Sequence, residues 1–178
     1  MTDEDTGRER FLVLHDYGMG GLWWWIHADS AQQILERIAE AEVITDADSW
    51  EQAAAWKLAE VDLDASELPP GLDELRRQRD EQRGQPGFAA LAGRTLVHLR
   101  CDSDDEENVV CYWEVDATGS RLREVEVRGD GPGVRYTPED WVFHTPVVDL
   151  YDPRAAAWEI DAEEFETRWR SAVPNNEY

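Results

Sequence analysis

The sequence predicts an α+β fold in which antiparallel β-sheet packs against a few helices. Three observations lead to this prediction. Short apolar runs bounded by glycine-rich or acidic turns indicate strands in both halves of the chain. Capping residues followed by apolar residues at helical spacing indicate helices between and after these strands. Hydrophobic residues make up 42% of the chain, which is enough for a packed core.

The chain is predicted to begin with a flexible arm, residues 1–9, followed by a β-hairpin. Residues 11–15 (FLVLH) and 22–27 (LWWWIH) form its strands, and the glycine-rich segment 17–21 (YGMGG) turns between them. Both strands are apolar on both faces. We therefore expect them in the middle of a sheet that is covered on both sides.

Helices are predicted to follow the hairpin. Ser30 and Gln33 have the spacing of a capping box, which marks the start of a first helix. The alanine-rich segment 49–60 predicts a second helix. The segment 72–83, which is mostly charged, predicts a third helix that is mostly exposed.

A glycine-rich segment, residues 85–94, is predicted to be a linker. It separates residues 10–84, which carry the hairpin and the helices, from residues 95–178. In an alternative interpretation, the two halves form one compact domain, because 178 residues fit either arrangement.

The second half is predicted to be a β-meander followed by a C-terminal helix. The strands of the meander are predicted at 95–101, 109–116 and 121–128. The segment 141–150 (WVFHTPVVDL) predicts a further strand, interrupted by Pro146. Asp161 and Glu164 have the spacing of a capping box and mark the start of the last helix.

The alternation of apolar residues indicates a register for the meander. If Cys101 faces Cys111 and Trp113 faces Val125, one face of the sheet is apolar apart from Arg123. The opposite face then carries two rows of mainly polar side chains. These rows are His98, Glu114 and Glu124, and next to them Arg100, Tyr112 and Glu126.

This polar face has two interpretations. A histidine beside two carboxylates can carry out acid–base chemistry or bind a metal ion. A solvated sheet face whose charges pair across strands has no such function, and we favour this second interpretation. The sequence therefore assigns no catalytic residue and no metal site. Glu114 facing Glu124 would be unfavourable unless His98 or Arg100 compensates the charge.

The run of Trp23, Trp24 and Trp25 also has two interpretations. In a strand, Trp24 points away from the other two. The three indoles either form part of a core that is covered by helices on both sides, or one face is a partner-binding surface. In the second case, Tyr17 and Met19 on the adjacent turn belong to the same surface.

The charge of the chain limits its partners. With 17 basic and 40 acidic residues, the formal net charge is −23, and the acidic residues are spread along the whole chain. Such a surface repels nucleic acid and attracts proteins with a basic surface. No apolar run is long enough for a membrane helix. The acidic N-terminus lacks the apolar region of a secretory signal, so we expect a cytoplasmic protein.

Known ligand-binding motifs are not found in the sequence, and no cofactor is predicted. The acidic run 102–107 (DSDDEE) lacks the glycine and glutamate of an EF-hand calcium loop. The glycine turn at 18–21 joins strand to strand, whereas a dinucleotide-binding loop joins strand to helix. Cys101 and Cys111 form no CxxC pair and fit a reducing compartment.

A further pattern extends from Tyr112 to Trp169. It consists of a strand ending in Glu-x-Asp, a short turn with glycine, an Arg-x-Val-Glu-Val strand, Asp-Gly, and a final helix with a Glu-Phe-Glu core. With this pattern, residues 95–170 resemble a small bacterial domain family of unknown function. The resemblance implies an α+β fold and implies no activity.

Three classes of function fit these observations. We prefer an acidic protein-binding or inhibitor protein, such as an immunity protein that neutralises a basic toxin, for example a nuclease. The second class is a small-molecule-binding domain or enzyme that uses the face with His98, Glu114 and Glu124. The third class is a regulatory or structural subunit of a complex. The sequence does not predict the oligomeric state.

Overall fold

The structure is a computed structural model that describes residues 7–103 and 106–175. It confirms the predicted α+β fold. The chain divides into two compact units, Met1–Gln85 and Pro86–Tyr178. Most of the predicted N-terminal arm lies outside the described residues. The first strand begins at Glu9, the last residue of that arm.

The described part of the first unit contains one sheet and three helices. The strands are β1 (Glu9–Asp16), β2 (Gly21–Ala28), β3 (Glu42–Ile44) and β4 (Ala59–Asp62), and the helices are α1 (Ala31–Arg37), α2 (Ala47–Ala54) and α3 (Leu72–Gln82). The order in the sheet is β3-β1-β2-β4. The sheet is mixed, because β4 runs parallel to β2 while the other pairs are antiparallel.

The hairpin of β1 and β2 forms the centre of this sheet and is covered on both faces, as its apolar residues predict. One face, with Val13 and Trp24, packs against residues of α1 and α3. The other face, with Leu12 and Trp25, packs against Ala53 of α2. The two cores lie on opposite sides of the same strands because successive side chains of a strand point in opposite directions.

Two helices of the first unit differ from their prediction. The second helix ends at Ala54, and Ala59–Asp62 pairs instead with the edge of β2. The predicted exposed helix, α3, buries one side, including Arg79. The guanidinium of Arg79 donates hydrogen bonds to the carbonyls of Leu35 and Ile38 at the end of α1. These bonds satisfy carbonyls that a helix end leaves without a partner in the helix.

The described part of the second unit contains one larger mixed sheet with the order β10-β8-β7-β6-β5-β9. Its elements are β5 (Leu96–Asp102), β6 (Val109–Asp116), β7 (Arg121–Arg128), β8 (Gly133–Tyr136), β9 (Glu159–Ile160), α4 (Ala162–Ser171) and β10 (Val173–Pro174). Helix α4 packs Phe165 against Tyr112 and Val125 on one face of the sheet. The other face, with Val97 and Leu99, packs against loop residues such as Leu91.

Two segments, the predicted linker and the predicted strand at 141–150, form irregular structure that packs on the second sheet or is exposed. The predicted linker, residues 85–94, forms a series of turns, and Leu91 is completely buried in the core. The prediction of a strand at 141–150 is wrong, because this segment is irregular, with a bend at residues 142–143. Pro146 has no N–H group to donate to a ladder, and Phe143 is 84% exposed. The chain returns to the core at Val148, whose N–H donates to the Gly119 carbonyl.

The predicted register is correct between β5 and β6 but is shifted by one residue between β6 and β7. Cys101 faces Cys111 as predicted. Trp113, however, faces Glu124 and not Val125. A shift of one residue exchanges the faces of a strand. The carboxylates of β7 therefore lie on the face opposite to the one predicted for them.

The turn between β6 and β7, together with the bulge that follows it, explains this shift. The Asp116 carboxylate accepts hydrogen bonds from the N–H groups of Thr118 and Ser120, and Gly119 has a φ of +85°. This geometry closes a three-residue loop, in which glycine is favoured at the left-handed position. Leu122 then forms a bulge, since Glu114 pairs with Arg123 and the next residue, Val115, pairs with Arg121.

Candidate functional site

The structure separates the predicted partner-binding residues into core residues and an exposed tip. Trp24 and Trp25 are 6% and 4% exposed and lie in the two cores of the first unit. Trp23 is half-buried. Tyr17 and Met19, on the turn between β1 and β2, are 58% and 96% exposed. These five residues therefore do not form one continuous aromatic surface.

Two of the indoles pair with tryptophans of the α2 region. The ring of Trp25 lies 5.1 Å from the ring of Trp50 in an edge-to-face arrangement, and Trp23 lies 5.4 Å from Trp56 in the same way. The Trp50 indole donates a hydrogen bond to the Ile44 carbonyl over 2.7 Å. Such pairs stabilise a core, so that most of the indole surface takes part in packing within the unit.

Three exposed apolar residues of the first unit lie where the hairpin turns. We call Tyr17, Met19 and Leu22 the hairpin tip; Leu22 is 41% exposed. The turn is fixed by a hydrogen bond from the Tyr17 N–H to the Gly20 carbonyl and by one from the Gly18 N–H to the Asp16 carboxylate, over 3.1 and 2.7 Å. These two bonds define the backbone geometry of the turn.

Acidic residues lie beside the hairpin tip. Asp16 ends β1, and Glu42 of β3 pairs with Leu14, two residues before it. Glu40 lies on the neighbouring loop, where its carbonyl is 3.2 Å from Nδ1 of His15. The tip thus combines exposed apolar side chains with neighbouring carboxylates, a combination that suits a partner with a basic and partly apolar surface.

The predicted polar face of the second unit is a buried ion-pair network beneath α4. Nε2 of His98 lies 3.0 Å from a carboxylate oxygen of Glu114. Arg123 donates to both carboxylate oxygens of Glu114 and to Glu166 of α4. Phe165 packs on the His98 ring at 5.0 Å. His98 and Glu114 are both less than 10% exposed, so this arrangement stabilises the docking of α4 and leaves neither of these two side chains open to solvent.

The charges in this network are paired. Hydrogen bonds from Arg123, and after them from His98, hold the pKa of the Glu114 carboxyl below its usual range. The same contacts with Glu114 and Glu166 raise the pKa of Arg123. Arg100 and Tyr112 pair on the same face of the sheet, where Tyr112 is buried. Four of the predicted residues therefore share this face, but Glu124 and Glu126 do not.

Glu124 and Glu126 line a cleft on the opposite face of the sheet. The cleft has a volume of about 470 Å³. Its lining consists of two cysteines, two tryptophans and polar residues: Cys101, Asp102, Ser103, Cys111, Trp113, Arg121, Glu124, Glu126 and Trp158. The correct register of β6 and β7 brings these residues together. That register depends on the bulge at Leu122, for which the alternation of apolar residues gives no signal.

Burial shifts two groups of this cleft, the Glu124 carboxyl and the Cys111 thiol, towards their neutral forms. The Trp113 indole donates to Glu124 over 2.8 Å, and the Arg121 guanidinium lies 4.0 Å from the Trp113 ring centre. Burial nevertheless raises the pKa of Glu124. Burial, together with the charges of Glu124 and Glu126, raises the pKa of the Cys111 thiol to about 12.

No family model, curated protein or solved structure matches this chain. The resemblance of residues 95–170 to a bacterial domain family therefore stays a prediction. In the described part of the chain, no helix is both long and apolar enough to cross a membrane.

Proposed function

We propose that this protein is a binding or inhibitor protein whose partner is a protein with a basic surface. The observation that carries the proposal is the hairpin tip, an exposed apolar surface on a chain with a net charge of −23. Exposed apolar groups of this kind are typical of interaction sites. The tip supplies apolar contacts, and the surrounding charge selects the partner.

In this proposal, the charge determines how fast the complex forms, and the apolar contacts determine how slowly it dissociates. The acidic surface attracts a basic partner over a distance and increases the rate of encounter, an effect that salt screens. The side chains of Tyr17 and Met19 become buried in the complex and slow its dissociation, as a few central residues do in most interfaces. Trp24 and Trp25 have no direct role, because they are buried in the cores of the first unit.

The more specific form of the proposal is an immunity protein that blocks a basic toxin, such as a nuclease. An inhibitor of this kind gains from a strongly acidic surface, since the surface of a nuclease that binds phosphates is basic. A cytoplasmic location is part of this proposal. The alternative of a regulatory or structural subunit uses the same surface and differs only in what the bound partner does.

The enzyme alternative is less well supported in its original form. His98 and Glu114 are buried beneath α4, and Glu124 lies on the other face of the sheet. A small-molecule site in the second unit would instead use the cleft, whose volume of about 470 Å³ lies within the usual range for ligand pockets. The cleft is the observation that favours this second candidate.

The test is to isolate the partner and to weaken the hairpin tip. The tagged protein is used to recover a partner from host lysate, and the affinity of the purified partner is then measured. We expect a partner with an excess of lysine and arginine, and we expect the double variant Tyr17→Ala/Met19→Ala to bind it at least about tenfold more weakly. An acidic or neutral partner would contradict the proposal.

The variant Phe143→Ala is the matched control. Phe143 is also an exposed apolar residue, at 84%, but it belongs to the second unit. We expect this variant to bind the partner with unchanged affinity. Should Phe143→Ala weaken binding while the double variant at the tip binds normally, the hairpin tip is not the binding surface.

A further inference from the structure

Three potential metal ligands converge at the cleft of the second unit. The Cys111 sulfur and one carboxylate oxygen each from Glu124 and Glu126 lie within 4.8 Å of one another. Cys111 and Glu126 are directly paired across β6 and β7. Glu124 lies two residues before Glu126 on the same face of β7. All three side chains therefore project from two neighbouring strands, which hold ligands more rigidly than loops do.

We propose that Cys111, Glu124 and Glu126 bind a zinc ion in the cleft. Zinc accepts sulfur and oxygen ligands together and usually has four of them. Three come from the protein here, and the open cleft leaves room for water as the fourth. A thiolate ligand disfavours magnesium and calcium, which prefer oxygen ligands. The donor set therefore fits zinc better than either of these ions.

A hydrogen bond to one of the three ligands supports this proposal. The Trp113 indole donates a hydrogen bond to Glu124 over 2.8 Å, and hydrogen bonds of this kind orient the carboxylates of metal sites. Arg121 lies 3.6 Å from Glu124, and Arg128 lies 3.1 Å from Glu126. A carboxylate has enough lone pairs to keep such contacts while it binds an ion. Zinc would displace the proton of the Cys111 thiol, which is released to the solvent.

Cys101 provides an internal comparison for the thiol. It also lines the cleft and faces Cys111 across β5 and β6. Its sulfur lies 4.0 Å from the Cys111 carbonyl oxygen and does not belong to the group that converges within 4.8 Å. The proposal therefore assigns the metal–sulfur bond to Cys111 and not to Cys101.

The test is a zinc titration of the full chain after treatment with a chelator. We expect one equivalent of Zn²⁺ to bind in competition with a chromophoric chelator. The variants Cys111→Ser, Glu124→Gln and Glu126→Gln are each expected to bind zinc at least about tenfold more weakly. Cys101→Ser and the exposed-surface variant Glu163→Gln are expected to stay within about threefold of the wild type. Circular dichroism checks that each variant is folded.

The absorption spectrum of the cobalt complex is a second measurement, and it does not depend on the affinity. Co²⁺ bound to a thiolate absorbs in the near ultraviolet, and we expect this band in the wild type and in Cys101→Ser but not in Cys111→Ser. The proposal is overturned if less than stoichiometric zinc binds, if Cys101→Ser weakens binding as much as Cys111→Ser, or if the cobalt complex lacks the thiolate band. The proposal concerns only the second unit, so its outcome is independent of the hairpin tip.

Discussion

Glu114 and Glu124 are both buried in the second unit, yet their surroundings shift their pKa values in opposite directions. Arg123 and His98 donate hydrogen bonds to Glu114, which lowers its pKa. Burial dominates at Glu124, although Trp113 donates a hydrogen bond to it, and its pKa is raised. Glu114 is thus an ion that belongs to the packing of α4, whereas at Glu124 the cost of burial outweighs the contacts with Arg121 and Trp113.

Removal of Arg123 should leave Glu114 as a buried and poorly compensated charge. We expect Arg123→Ala to lower the free energy of unfolding by about 2 kcal/mol, less than for a fully buried pair, because a quarter of the Arg123 side chain is exposed. Urea unfolding measures this change. Arg128→Ala is the control, because Arg128 pairs with Glu106 and Glu126 on the exposed surface, and we expect little change. If both variants lose the same free energy of unfolding, Arg123 does not stabilise the fold through its contacts with Glu114 and Glu166.

The lowered pKa of Glu114 also predicts how stability depends on pH. The folded carboxyl binds a proton less readily than the unfolded carboxyl, whose ordinary pKa is 4.5. Its contribution to stability is therefore complete above pH 4.5 and is lost as the pH falls through the lowered pKa. Between pH 5 and pH 3, Glu114→Gln should lose less free energy of unfolding than the wild type. The same loss in both proteins would show that Glu114 does not contribute.

At the scale of elements, the turn between β6 and β7 determines which side chains meet. It closes at Gly119, and a Cβ atom on this residue would lie 2.0 Å from the Val148 carbonyl oxygen. This contact and the positive φ explain why glycine is required there. Because the turn and the adjacent bulge fix the register, they place Glu124 and Glu126 beside Cys111 and not beside His98.

Two glycine variants separate the crowding at this turn from the conformational effect alone. Gly93 also has a positive φ, +77°, but no atom lies within 4 Å of the position of its Cβ. We expect Gly93→Ala to cost about 1 kcal/mol of stability, whereas Gly119→Ala should cost about 3 kcal/mol because the Val148 backbone must move as well. Urea unfolding of the two variants measures both losses. Similar losses would contradict the close approach of Val148.

Local signals predicted the elements that depend on neighbours in sequence. The capping residues Ser30 and Asp161 mark the starts of α1 and α4. The apolar residues on both faces of the hairpin correctly predicted a covered sheet. The strand β4 could not be predicted in this way, because its residues pair with an edge of β2 more than thirty positions away along the chain. That tertiary pairing outweighs the weak helical propensity of an alanine-rich segment.

The candidate sites were also predictable to different degrees, because some depend on neighbours in sequence and others depend on tertiary packing. The exposure of Tyr17 and Met19 follows from their place in a glycine-rich turn, which the sequence reveals. The burial of Trp24 and Trp25 depends on helices that pack from both sides. The group of Cys111 with Glu124 and Glu126 depends on one bulge, which apolar alternation does not reveal. Because the predicted register of β6 and β7 was wrong by one residue, it placed these side chains on opposite faces of the sheet.

For the whole molecule, the dominant property is a net charge of −23. Some of the acidic residues form ion pairs with arginines, for example Asp64 with Arg8 and Arg37. The excess remains because acidic residues outnumber basic ones by more than two to one. This excess of negative charge produces an electrostatic field that we expect to attract a basic partner. The hairpin tip provides apolar contacts, which require a partner surface of complementary shape.

The most direct test of the proposed function is the affinity for the purified partner, measured by calorimetry at several salt concentrations. We expect the affinity of the wild type to fall as salt increases, because salt screens the attraction between opposite charges. We expect Tyr17→Ala/Met19→Ala to lower the affinity by a similar factor at every salt concentration, because these two side chains carry no charge. An affinity that does not change with salt, or a double variant that binds as tightly as the wild type, would contradict the proposed function.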